Sequence, residues 1–240
     1  MKFALILGAS GDIGQACARR LASKGWSLYC HYHQNETRVK TLIENLEKKY
    51  PRQDFFSLQL DMTDEKRIEA FTAQLFEVDA VIVASGQTIY KLLTDTTSRE
   101  MDQLWQMMVK TPMLICQKVQ EKLARKKGSI VFIGSVYGIS GSAMEVLYST
   151  LKGAQHAFVK AYGQESASLD ITVNAIAPGA VRTHMNYHWT EEETRQLLSE
   201  IPANRMAEAD EIAAVVQFLL GEHARYITGT IIPVTGGWKV

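Results

Sequence analysis

Seven short apolar runs recur along the chain, at 2–7, 27–31, 55–60, 79–84, 129–134, 171–177 and 230–234. They are continuous rather than alternating, the pattern of strands buried on both faces. Segments of helix length lie between them, at 13–24, 36–49, 64–77, 98–126, 147–168 and 209–220. Strand–helix alternation implies βαβ units on a parallel sheet. Right-handed crossovers then lay helices on both faces, so the expected fold is a doubly wound α/β domain with seven parallel strands. A chain of 240 residues that is 46% apolar suits one such domain over residues 1–240, and no internal repeat or low-complexity linker divides it. The segment 180–208 breaks the rhythm. A long insertion after a strand's carboxyl end is a candidate substrate lid, the alternative being an ordinary helical excursion.

Lys plus Arg and Asp plus Glu both number 26, so the formal charge is zero. No basic excess marks a nucleic-acid partner. Arg125, Lys126 and Lys127 read as a solvated helix end, with Gly128 as the cap. Cys17, Cys30 and Cys116 are far apart and form no metal-spacing pair, so they are expected as buried apolar side chains in a reducing compartment, and no metal site is expected. The start of the chain does not have the form of a signal peptide, and no apolar run approaches membrane-spanning length. A cytoplasmic protein without membrane or nucleic-acid partners is the expectation.

In an open parallel sheet, ligands sit at the strands' carboxyl ends. The first such end carries LGASGDIG (7–14). Gly8 permits a tight turn, and Gly11 or Gly14 lets the backbone approach a pyrophosphate. The helix that follows presents unpaired N–H groups and the positive end of its dipole. The second strand ends at His31, Tyr32, His33, Gln34 and Asn35, with no Asp or Glu to bind the adenosine ribose. His33, Asn35 and Arg38 stand there instead, which favours NADPH over NAD. Asp61, just past the third strand, is placed to meet the adenine. The run Asp61, Met62, Thr63 and Asp64 could equally be a helix start capped by Asp61 or Thr63.

Tyr148 and Lys152 are four apart in LYSTLKGAQHAF, so a helix puts both on one face. Ser135 lies 13 residues before Tyr148, just after the fifth apolar run. The glycine turn, the serine at a strand's carboxyl end and this spacing together point to a site rather than to surface decoration.

At these residues the chain resembles the short-chain dehydrogenase/reductase family, over essentially its whole length. The motifs are GASGDIG (8–14), SGQ (85–87), GS (134–135), YSTLK (148–152), VNAIAPG (173–179) and ITG with VTGGW (227–238). The resemblance implies a single-domain Rossmann-like fold and a Ser–Tyr–Lys set, here Ser135, Tyr148 and Lys152, that reduces carbonyls or oxidises alcohols. A free tyrosine titrates near 10, and the Lys152 ammonium is expected to lower Tyr148 towards the working pH. Ser135 would hydrogen-bond the substrate oxygen, and Lys152 the nicotinamide ribose. The implied NADPH contacts are Gly8, Ser10, Gly11, Asp12, Ile13, Gly14, His33, Asn35, Asp61, Met62, Ser85, Gly86, Tyr148, Lys152, Pro178, Gly179, Val181 and Thr183. Gln87 and Glu145 are the implied substrate contacts.

The chain departs from the family in three places. Met108, in the stretch from 108 to 112 that ends at Pro112, stands where many relatives have an Asn that supports a water relay. Of an NNAG signature, only Gly86 remains in Val83, Ala84, Ser85 and Gly86. Asp12 occupies the middle glycine position of the phosphate loop, so the glycines run G-x2-G-x2-G, a spacing typical of the family's extended members. Asp12 is expected as a first-turn helix acid directed away from the pyrophosphate.

Within the family the chain resembles 3-oxoacyl-acyl-carrier-protein reductases. It is most similar to the subgroup of the elongation factor P 5-aminopentanone reductases, through EVLYSTLKGAQHAFVKA (145–161). Carrier-protein reductases place arginines beside the active-site mouth. Ser129 and Leu169 stand at the matching positions, with Asp170 adjacent, which weakens carrier docking, although Lys126 and Lys127 could compensate. Glu145 is expected to attract a cationic substrate; the alternative is an exposed acid with no ligand. The competing class is a non-catalytic NADPH sensor. The resemblance also implies a homotetramer, joined through the helices at 98–126 and 147–168 and near the C-terminal ITG and GGW segment.

Overall fold

Along the first strand, β1 (Lys2–Leu7), consecutive side chains point to opposite faces, and both faces are packed. Ala4 and Ile6 join one apolar core, while Phe3, Leu5 and Leu7 join the other. The computed structural model, which describes residues 1–184 and 190–239, continues through α1 (Asp12–Ala22), β2 (Trp26–Tyr32), α2 (Glu36–Lys49), β3 (Phe55–Gln59) and α3 (Ile68–Ala73). There follow β4 (Ala80–Val83), α4 (Ser98–Trp105), α5 (Thr111–Lys126), β5 (Ser129–Ile133), the one-turn α6 (Tyr137–Ser140) and α7 (Val146–Ser166). The chain ends with β6 (Thr172–Pro178), α8 (Glu191–Glu200), α9 (Ala209–Leu219) and β7 (Ile231–Val234).

All pairs in the seven-stranded sheet are parallel, in the order β3-β2-β1-β4-β5-β6-β7. Residues of α1, α2 and α9 fill the core on one face; residues of α3, α5 and α7 fill the other. This is a single-domain Rossmann-like α/β fold. The chain leaves β1 towards β2 on one side, and β4 returns on the other. The carboxyl ends of β1 and β4 therefore border a crevice at the topological switch point. Among the described residues no helix is long and apolar enough to cross a membrane, and Cys17, Cys30 and Cys116 are buried free thiols.

Four local expectations need correction. The helix expected at 64–77 is a 3-10 turn (Glu65–Arg67) followed by α3, which closes at Ala73. The start is capped by Asp64, whose carboxylate accepts from Lys66 N–H at 3.1 Å, and not by Asp61 or Thr63. Asp61 instead accepts from Thr63 N–H at 2.9 Å in a local turn. At the end of α5 the left-handed residue is Lys127 (φ 51°), and Gly128 serves close packing, since a Cβ there would lie 2.6 Å from the Leu123 side chain.

The long helix expected at 98–126 is interrupted by a π-helical turn, Gln106–Lys110, in which Thr111 N–H reaches back to the Gln106 carbonyl. Pro112 is the reason. It has no N–H to give the carbonyl four residues earlier, that of Met108, and the ladder widens to pass it. In the segment 180–208, Arg182 N–H donates to Ala207 O and Ala207 N–H to Ala180 O, both at 2.9 Å, so its two ends are tied together. Helix α8 lies within it and starts at a capping box formed by Thr190 and Glu193. Residues 185–189 of the expected lid lie outside the described residues.

Candidate active site

The carboxyl ends of the strands border a cleft of about 1020 Å³. At the β1 end it is bordered by Gly11 of the glycine turn. Gly8 takes φ +83°, and a Cβ on Gly14 would lie 2.2 Å from the Gly8 carbonyl oxygen, so both positions exclude a side chain. A Cβ on Gly11 would meet nothing nearer than 3.4 Å, and Gly11 faces the cleft. It is also the N-cap of α1 and offers no side-chain cap, which leaves the first N–H groups of that helix available to an anion.

A buried histidine supports the turn. Gly8 N–H donates to His31 Nδ1 at 3.0 Å, and His31 Nε2 lies 3.0 Å from the Leu60 carbonyl. These partners require the neutral tautomer with the proton on Nε2. Burial pushes His31 down to about 4, which keeps it neutral.

Asp12 lines the cleft rather than turning away from it. Its carboxylate is taken up by the Arg38 guanidinium and by His184 N–H, the latter at 2.7 Å. Burial works to raise Asp12, but the bonds from His184 and Arg38 hold it below the usual carboxylate range. Arg38 also lines the cleft.

The catalytic candidates converge at the other end. Gly134 and Gly138 let α7 pack against the loop after β5, since a Cβ on either would lie within 2.7 Å of the His156 ring. That contact brings Ser135, Tyr148 and Lys152 to one wall of the cleft. Ser135 Oγ accepts from Tyr137 N–H at 3.1 Å, which leaves its hydroxyl proton for Tyr148. Burial pushes the Tyr148 phenol up to about 12, against the opposing bond from Ser135. Burial pushes the Lys152 ammonium down to about 7.

The expectation that Lys152 lowers Tyr148 does not hold in this geometry. Lys152 Nζ lies 5.6 Å from the centre of the Tyr148 ring and donates to the Ile133 carbonyl at 2.7 Å and to Gln155 Oε1 at 3.2 Å. Desolvation governs both groups.

Of the other expected contacts, Ile13, Ser85, Gly86, Gln87, Glu145, Pro178, Gly179, Val181 and Thr183 line the same cleft. Ser85 Oγ is buried without a hydrogen-bond partner among the described residues. Glu145 accepts from Thr88 Oγ1 at 2.8 Å. Gly8, Ser10, Gly14, His33, Asn35, Asp61 and Met62 are outside the lining. His33 Nε2 sits 3.5 Å from Asp61 Oδ2 at the surface, Asn35 begins α2, and Met62 is buried with its carbonyl accepting from Thr111 Oγ1. Ser129 and Leu169 stand at the amino ends of β5 and β6, the opposite end of the sheet, so they do not flank the cleft of their own chain.

Several residues of the site were not singled out in the sequence. Tyr137, Leu197 and Trp238 line the cleft. Trp238, expected near a subunit interface, is buried against Val136, Ile201 and Leu197 of its own chain and lies edge-on to Tyr137 at 5.8 Å. The capping-box pattern from Thr190 to Glu193 is the signal that would have found α8. Nothing in one dimension marks Gln155.

Comparison with known proteins agrees with this fold. A family model described as enoyl-(acyl carrier protein) reductase matches residues 8–239. An uncharacterized oxidoreductase of Bacillus subtilis (strain 168), YmfI, is 38% identical over 99% of this chain and 98% of its own length. The 3-oxoacyl-[acyl-carrier-protein] reductase FabG of Staphylococcus aureus (strain Mu50 / ATCC 700699) is 30% identical over 98% of this chain and 97% of its own. Among solved structures, a blue fluorescent protein from a metagenomic library, in complex with NADPH, superposes with a TM-score of 0.91 at 27% identity, over 100% of this chain and 98% of that one. The chain belongs to the short-chain dehydrogenase/reductase family of oxidoreductases.

Proposed function

We propose that the protein is an NADPH-dependent ketone reductase in which Ser135, Tyr148 and Lys152 are the catalytic residues. The observation that carries this is the convergence of the three side chains on one cleft whose far end is a glycine turn opening onto bare helix N–H groups. The residues fit a dinucleotide: Gly11 leaves room for a pyrophosphate, and Ser85 Oγ has a free bonding capacity at the cleft wall. Gly8, Gly11, Ile13, Gly14, Ser85, Gly86, Pro178, Gly179, Val181 and Thr183 would hold it, and Lys152 would meet its ribose. The nicotinamide, when bound, supplies the hydride that the carbonyl carbon takes up.

The chain's own residues manage the proton. Ser135 orients the carbonyl oxygen, and the Tyr148 O–H gives its proton to that oxygen as negative charge develops there. A phenol held near 12 is fully protonated at neutral pH, ready to act as an acid. The substrate side would be lined by Trp238, Tyr137 and Leu197. Glu145 borders that side, and no cation pairs with it among the described residues. This supports a substrate with a positive charge. The 5-aminopentanone group on a side chain of elongation factor P has both the ketone and the ammonium. The relationship to the S. aureus FabG favours a second reading, reduction of 3-oxoacyl groups on acyl carrier protein.

NADPH consumption with a simple diketone, in wild type and Tyr148→Phe, tests the reaction. Turnover abolished in the variant supports the proposal. NADPH binding with no turnover on any ketone favours a sensing role. Glu145→Gln tests the substrate class: KM should rise for amino-substituted ketones and stay unchanged for neutral ones. Equal effects on both would sink the cationic substrate.

A further inference from the structure

Pro112 leaves the Met108 carbonyl without its helical partner, and Met108 is completely buried. A buried carbonyl needs a donor. It receives one from a distant helix: Gln155 Nε2 on α7 donates to Met108 O at 2.6 Å. Gln155 is 1% exposed, and its other amide atom, Oε1, accepts from Lys152 Nζ at 3.2 Å. The orientation of the amide is set by chemistry. A carbonyl can only accept and an ammonium can only donate, so the NH2 must face Met108 and the oxygen must face Lys152. An ammonium has three N–H donors. Ile133 O takes one at 2.7 Å and Gln155 takes the second. One remains, and Lys152 borders the cleft.

The geometry points to Gln155 as a positioning residue: its amide ties the Lys152 ammonium to the Met108 carbonyl and so aims the remaining Lys152 N–H at the cleft. This rests on the reading of Ser135, Tyr148 and Lys152 as the reductase site. An amide neither gains nor loses protons near neutral pH, so the tie carries orientation and no proton. The proton that Tyr148 gives up is therefore restored from the mouth of the cleft and not through the π turn.

The groups facing Lys152 leave Gln155 as its principal adjustable partner. On α7 they are Tyr148, protonated, and His156, which burial pushes down to about 4 and so keeps neutral. Strand β5 contributes the Ile133 carbonyl, the loop after β4 contributes Gly86, and the π turn contributes Met108. None of these carries a charge.

Two variants separate positioning from packing. Gln155→Met keeps the volume and removes the tie. Gln155→Ala opens a space bordered by two polar partners, Lys152 Nζ and Met108 O, which suits one water. Positioning predicts that Ala is the milder change: kcat within about threefold of wild type, against a loss of about tenfold or more in Met. Packing predicts the reverse, because a cavity is worse than an isosteric apolar side chain.

The second readout is the titration of Lys152 in the cofactor-free, full-length protein, followed by NMR of 13Cε-labelled lysine. It should fall by about one pH unit or more in Gln155→Met and stay close to wild type in Gln155→Ala. An unchanged titration in Met, or Ala as the worse variant by kcat, overturns the proposal. If Tyr148→Phe keeps full turnover, the reading of Ser135, Tyr148 and Lys152 as the catalytic set fails instead, and the lysine titration still decides the role of Gln155.

Discussion

The two ends of the cleft are built differently. At the proposed catalytic end three polar side chains are buried and tied: Lys152 is 3% exposed, Ser135 8% and Gln155 1%, and each has a partner in the protein. Beyond β2 and β3, where the adenosine half of a dinucleotide would reach, the polar groups are surface groups. The His33 side chain is 46% exposed and that of Arg38 31%. Buried polar groups gain strength from the low dielectric around them and are costly to leave unpaired. Exposed ion pairs are screened by water and salt and contribute little. In the proposed reaction the chemistry would thus be set by the buried end, and the choice between related cofactors would be left to the end that can change cheaply.

Substitution at the catalytic end should accordingly have the largest effect. Ser135→Ala removes the hydroxyl proposed to orient the substrate oxygen, and kcat should fall about 10²- to 10³-fold, with NADPH affinity nearly unchanged. Stopped-flow single turnovers check this. A loss confined to KM would show that Ser135 only binds, and the contrast between the two ends would weaken.

The next effect comes from the buried histidines beneath both ends. His31 and His156 are each pushed by burial from 6.5 down to about 4. In the unfolded chain they take up a proton near 6.5, whereas in the fold they stay neutral until about 4. The unfolded state therefore binds more protons as pH falls between these values. Stability is fully present above pH 6.5 and is lost on the way to pH 4, by roughly 2–3 kcal/mol for each histidine. The depressed carboxylates, such as Glu100 and Glu211 at about 2, act mainly below 4.5, so the interval from 6.5 to 4.5 isolates the histidines. Urea midpoints at pH 6.5, 5.5 and 4.5 should fall steadily. A flat series would mean that one or both rings are protonated in the fold.

The same contrast explains how much could be read from the sequence. Strands buried on both faces leave continuous apolar runs, so the sheet was legible. Tyr148 and Lys152 are one helical turn apart, so their pairing is local, and Ser135 could be placed by its strand. Gln155 could not be found this way. Its role exists only because Pro112, on another helix, frees the Met108 carbonyl at a distance of 47 positions. Trp238 likewise meets Tyr137 only through the fold. The surface beyond β2 was less legible for the opposite reason: His33, Asn35 and Asp61 sit near the right strand ends, but short exposed loops do not dictate where their side chains turn.

Arg38 offers the smallest and sharpest test of that cheaper end. Its guanidinium already pairs with Asp12, so part of its charge is spent within the protein and its pull on a 2′-phosphate is reduced. Arg38→Ala should weaken NADPH binding about three- to tenfold and leave NADH nearly unchanged, and the difference should shrink as salt is raised from low to physiological levels. Asp12→Asn should act in the opposite sense, tightening NADPH by a few-fold, because it releases Arg38 and removes a negative charge from the cleft. In the double variant the gain from Asp12→Asn should be smaller, since the two groups work as a pair. Fluorescence titrations with both dinucleotides measure all of this. If Arg38→Ala weakens NADPH and NADH equally, the pair holds the glycine turn in shape and does not read the phosphate. The exposed end would then be a structural rim, and selectivity would have to arise elsewhere in the cleft.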